Sequence, residues 1–221
     1  MKKKVVLFGV GNLTDVLFYY YQKFNLADVV AFTIDEVYKK DETHCGLPII
    51  GFEEIETKFQ PSNYELLIPL SPNKMNKLRE AKFLQAKQKG YDLANFVHPS
   101  AIIESSLIGE NNIVLEDVIL QPFSQLDDNN VIWSKTYVGH HCKIGSNNWI
   151  SANTTIGGES VVENNCFLGI NASLKNNIVI SNETFIGMGL SINRSSNPKE
   201  VFIGESLVAH KLTSDRLGKI V

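Results

Sequence analysis

The sequence predicts a two-part chain, a small α/β domain followed by a three-sided parallel β-prism. Three observations carry that prediction. Every sixth residue from Ile102 to Ile192 is Ile, Leu or Val, in a chain that is only 43% hydrophobic. Glycine recurs at the second position of the repeat (Gly109, Gly139, Gly145, Gly157, Gly169, Gly187), and the fifth position is mostly small, as at Ser124, Thr136, Cys142, Thr154, Ser160, Cys166 and Ala172. Residues 1 to about 95 lack the repeat and alternate strand-like with helix-like segments.

A period of six fits neither a helix nor a flat two-faced strand. It fits a coil in which one hexad makes a short strand and a corner, and three hexads close a turn. Each hexad then supplies one inward aliphatic plug, and β-branched Ile and Val fill a close-packed pleated axis well. The second-position glycines are read as corners that need backbone freedom. The frame runs unbroken from Ile102, leaving no long loop to build a pocket.

In the first domain, Lys4 to Phe8 reads as a buried strand. Gly9-Val10-Gly11 turns it into a helix with Leu13, Val16, Leu17, Tyr20, Tyr21 and Phe24 on one face. Val29 to Ile34 is a second strand ending in Asp35-Glu36, Tyr64 to Leu70 a third, and Asn73 to Lys89 a closing helix stopped by Gly90. This is a Rossmann-like βαβαβ unit with its ligand edge at the strand C-termini. Gly9 and Gly11, with Asn12 opening the helix, present backbone N–H groups to a phosphate, and Asp35 is placed to accept hydrogen bonds from a ribose or base. Thr14 stands where a full dinucleotide fingerprint wants a third small residue, so a structural glycine turn is the competing reading. The basic residues of the closing helix, Lys74, Lys77, Arg79, Lys82, Lys87 and Lys89, read mostly as a solvated face. The expected divisions are 1–95, 96–197 and a tail, 198–221, with a short helix around Ser206 to Leu217.

A net charge of −3 and a pI near 6.0 give no electrostatic case for nucleic acid. The apolar run after Lys2-Lys3-Lys4 stops at Gly9, too soon for a signal peptide, and nothing approaches a membrane span. A cytoplasmic protein is the expectation. Three cysteines lack framework or zinc spacing, so no disulfide and no metal are expected.

The repeat converts sequence into columns, because residues eighteen apart stack at the inter-strand spacing. His140 shares a column with Glu104, Pro122, Gly158, Asn176 and Arg194; His141 shares one with Ser105, Phe123, Glu159, Asn177 and Ser195. Both histidines fall at an outward corner, beside a glycine and a carboxylate. A neutral imidazole there suits a general base for an amine or hydroxyl nucleophile, and the backbone N–H of Gly158 suits an oxyanion. Cys142 should point inward, which disfavours a thiol intermediate.

These residues carry a resemblance. The segment Val138-Gly139-His140-His141-Cys142-Lys143-Ile144-Gly145, then Gly158 and Asn165-Cys166-Phe167-Leu168-Gly169-Ile170-Asn171-Ala172, resembles the hexapeptide-repeat acyltransferases of the sialic acid O-acetyltransferase and bacillosamine N-acetyltransferase group. Gly9-Val10-Gly11 and Phe96-Val97-His98-Pro99-Ser100-Ala101 match the same group, so the likeness spans nearly the whole chain. Within it, the chain looks most like enzymes acetylating nucleotide-linked 4-amino-4,6-dideoxy sugars, such as the dTDP-linked viosamine type, and the expected substrate is UDP- or dTDP-linked. The resemblance implies a left-handed parallel β-helix, a homotrimer, acetyl-CoA between subunits and a sugar nucleotide on the first domain. It puts His140 in the place of the catalytic base. It also assigns Trp149, Gly158, Gly169, Gly187 and Arg194 to the cofactor side, and Gly9, Gly11, Asn12 and Asp35 to the sugar nucleotide.

Three departures stand out. The residue after the base is usually acidic, and here it is His141; Glu159, stacked over it, is the candidate to share the orienting role. Trp149 stands where the family often has a histidine, so it is expected to pack against the cofactor arm or a neighbouring subunit. The family's Gly-Asn-Pro-Ala ending is absent. The alternatives are O-acetylation of a sialic acid or other sugar, and a catalytically silent trimeric scaffold or metal site, although His98, His140 and His141 do not share a column.

Overall fold

The structure is a computed structural model describing residues 4–205. The first domain is a five-stranded sheet in the order β3-β4-β2-β1-β5, where β1 is Lys4–Phe8, β2 Asp28–Ile34, β3 Thr43–His44, β4 Leu47–Gly51 and β5 Glu65–Leu67. Its pairings are parallel except β3 with β4, a tight hairpin that the sequence reading passed over. Pro48 and Gly46 read as loop residues, yet β4 extends the sheet beside β2. Helix α1 spans Asn12–Phe24, α2 Ile55–Lys58 and α3 Lys77–Gln88.

Two helices depart from expectation. In α1 the buried face includes Thr14 and Phe18, and Val16 is exposed. Helix α3 starts at Lys77, not near Asn73, because Lys74, Met75 and Asn76 all take left-handed backbone, with φ 51°, 52° and 64°.

From Phe96 onward, two-residue strands stack into three parallel faces. The first face runs from Ile102–Ile103 to Ser191–Ile192, the second from Leu107–Ile108 to Val179–Ile180, and the third from Phe96–Val97 to Val201–Phe202. Val114, Leu120, Leu126, Ile132, Val138, Ile144 and their successors fill a dry axis. Burial of each such side chain contributes about 1.5–3 kcal/mol relative to exposure.

The repeat slips once. Ile103, not Ile102, stands beside Leu120 and packs on the axis, leaving Ile102 53% exposed. The corner logic is also different from the sequence reading. Left-handed backbone falls on the fourth position of every hexad from Asn111 to Gly189, and the second-position glycines do not have it. Those glycines are required by close approach: a Cβ on Gly139 would lie 2.5 Å from the Gly158 nitrogen, and one on Gly169 2.6 Å from that of Met188. Val201–Phe202 pairs with Phe185–Ile186, so the stretch expected to be a tail begins as one more strand. The helix expected around Ser206 to Leu217 lies outside the described residues.

The first domain seats on the third face and on the corner between the second and third. Leu13, Leu17, Phe96, Ile113, Val131 and Trp149 form one buried cluster across the junction. Arg79, fully buried, donates to the carbonyls of Leu70 (3.2 Å), Asn129 (3.2 Å) and Asn148 (3.0 Å), joining α3 to two coils. Burial pulls its pKa down to about 9. Arg79 and Lys82 (8% exposed) are therefore not part of a solvated face.

Candidate functional site

Two places gather the residues singled out from the sequence. One is the corner between the first and second faces. His140 follows the strand Tyr137–Val138 after Gly139, His141 takes the left-handed position (φ 56°), and the chain re-enters the prism at Cys142. Both imidazoles are exposed, and their Nδ1 atoms are 3.1 Å apart, within hydrogen-bond reach. The ring of His141 also lies against Phe123 at 4.7 Å between centroids. Gly158 sits directly against the other ring: a Cβ there would stand 2.9 Å from Nε2 of His140. Only glycine admits the imidazole in this place. Among the described residues the Gly158 N–H has no hydrogen-bond acceptor.

Glu159 occupies the column position over His141, but its carboxylate makes no hydrogen bond or ion pair with either imidazole. The group within reach of His140 is His141. Cys142 is fully buried with its thiol donating to the Gly157 carbonyl, and burial raises its pKa; burial pushes the Cys166 thiol up to about 12. Neither is a nucleophile.

The residues expected on the cofactor side do not all gather at this corner. Gly169 and Gly187 lie one corner round, between the third and first faces, where the backbone of the next coil crowds them. Arg194 is in the His140 column, but its guanidinium is bound bidentately by Glu200 (2.6 and 3.1 Å) and lies over Phe202. Trp149 departs most. It is 9% exposed, packed with Trp133 and under the guanidinium of Arg79, so it faces the chain's own first domain and no cofactor arm. An outward position on the third face is an interior position once that domain is seated.

The second place is a cavity of about 430 Å³ at the C-terminal edge of the sheet, lined by Phe8, Gly9, Val10, Asp35, Tyr38, Leu70 and Lys82, among others. Gly9 is needed there for its backbone, with φ +103° and its N–H on the Thr33 carbonyl. Gly11 caps α1 and Asn12 begins it; both are exposed and do not line the cavity. Asp35 is ion-paired to Lys82 at 2.5 Å, and Lys82 lies over the rings of Phe8 and Phe52. Sequence reasoning missed Lys82, whose only signal was its place on the inward side of a helix too polar to show one. A neighbouring cavity of about 700 Å³ shares Asp35, Tyr38 and Lys82. No residue lining either cavity comes from the β-helix. No described helix is long and apolar enough to cross a membrane.

No protein-family model and no curated protein matches the chain. Solved structures do match. The acetyltransferase domain of PglB from Neisseria gonorrhoeae FA1090 superposes with a TM-score of 0.80 at 19% identity, covering 90% of this chain and 95% of that one. PerB from Caulobacter crescentus, solved in complex with CoA and GDP-perosamine, gives 0.75 at 22% identity over 90% and 91%. WeeI from Acinetobacter baumannii AYE gives 0.57 at 15% identity over 91% and 97%. The likeness shows the fold, a left-handed parallel β-helix behind a small α/β domain.

Proposed function

We propose that this chain is an acetyl-CoA-dependent N-acetyltransferase acting on the 4-amino group of a nucleotide-linked 4-amino-4,6-dideoxy sugar, in bacterial surface-glycan synthesis. One observation carries the reading: an exposed imidazole pair, Nδ1 to Nδ1 at 3.1 Å, with Gly158 against Nε2 of the first ring. His140, protonated at Nδ1 and donating to His141, holds its Nε2 lone pair toward the amine. The amine attacks the thioester as Nε2 takes its proton, the Gly158 N–H meets the developing oxyanion, and CoA leaves as the tetrahedral intermediate collapses. The sequential route fits two buried cysteines that offer no acyl acceptor.

The sugar nucleotide is assigned to the Gly9 and Asp35 cavity, with Gly11 and Asn12 near the diphosphate. No residue of the β-helix lines that cavity, and in this proposal the His140 corner of a neighbouring copy completes the site. A homotrimer with acetyl-CoA in the inter-subunit groove meets that need, with Gly169 and Gly187 assigned to the cofactor side. The neighbours support the chemistry by what they were solved with: PglB's domain with acetyl coenzyme A, and PerB with CoA and GDP-perosamine. O-acetylation of a free sugar remains the second reading; it uses the same base but leaves the Asp35 cavity without a role.

The test is CoA release measured across UDP-, dTDP- and GDP-linked 4-amino and 3-amino dideoxy sugars, with sialic acid as the hydroxyl acceptor. Turnover of a nucleotide-linked amine, with KM raised at least about tenfold by Asp35→Ala, supports the assignment. Turnover of sialic acid alone, or none with any acceptor, overturns it.

A further inference from the structure

The β3–β4 hairpin and α1 bring together three side chains that the sequence keeps apart, Asp15, His44 and Cys45. Their ligating atoms, a carboxylate oxygen, an imidazole nitrogen and Sγ, all lie within 4.8 Å of one another. We propose that they form a binding site for a zinc-like divalent cation, clasping the hairpin to the first turn of α1.

The hairpin itself supplies the first reason. His44 and Leu47 are an antiparallel pair, and between them Cys45 (φ 49°) and Gly46 (φ 79°) form a two-residue turn with left-handed backbone at both positions. Asn, Asp or Gly is the favoured choice at the first of those positions. Cys45 is also exposed, unlike Cys142 and Cys166, so it does not serve as a small core hydrophobe. A residue ill-suited to the backbone and contributing nothing to packing has its thiol beside an imidazole and a carboxylate.

Donor chemistry and geometry supply the second. A carboxylate, an imidazole and a thiolate suit a borderline-soft, tetrahedral cation, with water in the fourth place. His44 Nε2 lies 2.5 Å from Asp15 Oδ1, and the edge of its ring is held against Phe32 at 4.8 Å between centroids. Two such donors on one zinc ion stand about 3.2 Å apart, so the ion enters by replacing the hydrogen they share and opening the pair by less than 1 Å. The shared proton and the Cys45 thiol proton leave to water, and His44 binds through Nε2 with its one remaining hydrogen on Nδ1. His44 and Cys45 are adjacent on the turn, so only Asp15 must be brought from another element.

The site predicts binding that can be read without any acetyl transfer. The full chain, stripped with chelator and titrated with Co²⁺ alone, should show thiolate-to-cobalt charge-transfer absorption saturating at one equivalent and erased by added Zn²⁺. Cys45→Asn, which suits the left-handed turn and so keeps the hairpin folded, should abolish the band. Cys142 and Cys166 remain in that variant as internal controls. Asp15→Asn and His44→Asn should each weaken zinc by more than about a hundredfold, beyond what the loss of an outer-sphere partner costs. Zinc should raise Tm in the parent but not in Cys45→Asn, whose acetyl transfer should stay at the parent level. A parent chain with no charge-transfer band at saturating cobalt overturns the site. So does a Cys45→Asn variant that binds zinc as tightly as the parent.

Discussion

Two corners of the same prism are built on one backbone and populated by different rules. The corner between the second and third faces carries asparagine at four successive left-handed positions, Asn111, Asn129, Asn147 and Asn165. Asparagine visits this conformation cheaply, and the side chains form a ladder, Asn111 to Asn129 and Asn129 to Asn147 at 2.7 Å each. The corner between the first and second faces has the same backbone at Phe123, His141 and Glu159 and meets asparagine only at Asn177; phenylalanine and glutamate have no such preference. Left-handed backbone costs roughly 1–2 kcal/mol for residues of that kind. Over these coils one corner satisfies local propensity and receives the first domain; the other disregards it at Phe123 and Glu159 and exposes two imidazoles. Departures of this sort concentrate where function constrains sequence.

The sharpest way to break this contrast is to mutate each corner and look for two separate failures. His140→Ala should lower kcat by about 10²–10⁴-fold while leaving Tm unchanged, because the side chain is exposed and the proposed function gives it only the role of base. Asn129→Ala should do the reverse, costing about 1–3 kcal/mol as buried ladder partners lose their bonds, with turnover per folded molecule retained. Urea unfolding and steady-state rates on the two variants decide it. An unchanged kcat in His140→Ala would sink the catalytic assignment.

Next in size is the buried arginine that ties α3 to the asparagine corner. Arg79→Met should destabilise by at least about 3 kcal/mol, since the carbonyls of Leu70, Asn129 and Asn148 lose their charged donor in a dry junction. Arg79→Lys should not restore stability, because one ammonium cannot span three carbonyls fixed by a planar fork. Equal stability of Arg79→Lys and the parent in urea would refute this account of the junction.

How much of this was legible beforehand depended on how periodic each feature is. The inward residues from Ile108 to Ile192 could be read at sight, since one sheet spacing fixes them all. The Ile102 slip could not, because Ile103 is as apolar as its neighbour. The fourth-position asparagines were in plain view, yet the glycines drew the corner assignment, and only backbone angles show that those glycines serve close approach. Trp149 and Arg79 were misplaced for one reason: a pattern states which side chains leave the prism or the helix, but not which of them the other domain then covers. Lys82 was misplaced because α3 is too polar to show its inward side. The Asp15, His44 and Cys45 cluster was invisible because a hairpin no pattern announced brings its parts together.

A smaller effect separates the two imidazoles. In the proposed arrangement His141 accepts from His140 where a carboxylate would lend charge, so His141→Glu should stabilise the imidazolium of His140. The acidic limb of kcat/KM against pH should then move to higher pH, by on the order of one unit. His141→Phe, which keeps a ring against Phe123 but removes the acceptor, should lower kcat without that displacement. Identical pH profiles for parent and His141→Glu would show that the Nδ1 contact does not orient the base.

The smallest expected change tests the propensity argument by itself. Glu159 sits at φ 62° in the His141 column, and its carboxylate bonds to neither imidazole. Glu159→Asn should therefore stabilise by about 0.5–1 kcal/mol, by giving this corner the residue its partner corner already uses. Turnover and its pH profile should be untouched, as they should be in Glu159→Gln. A rise in Tm with full activity would mean that neither stability nor catalysis holds Glu159 at this left-handed position. A fall in kcat or a shifted pH profile in both variants would place Glu159 back with the base, joined to it through substrate or a neighbouring copy.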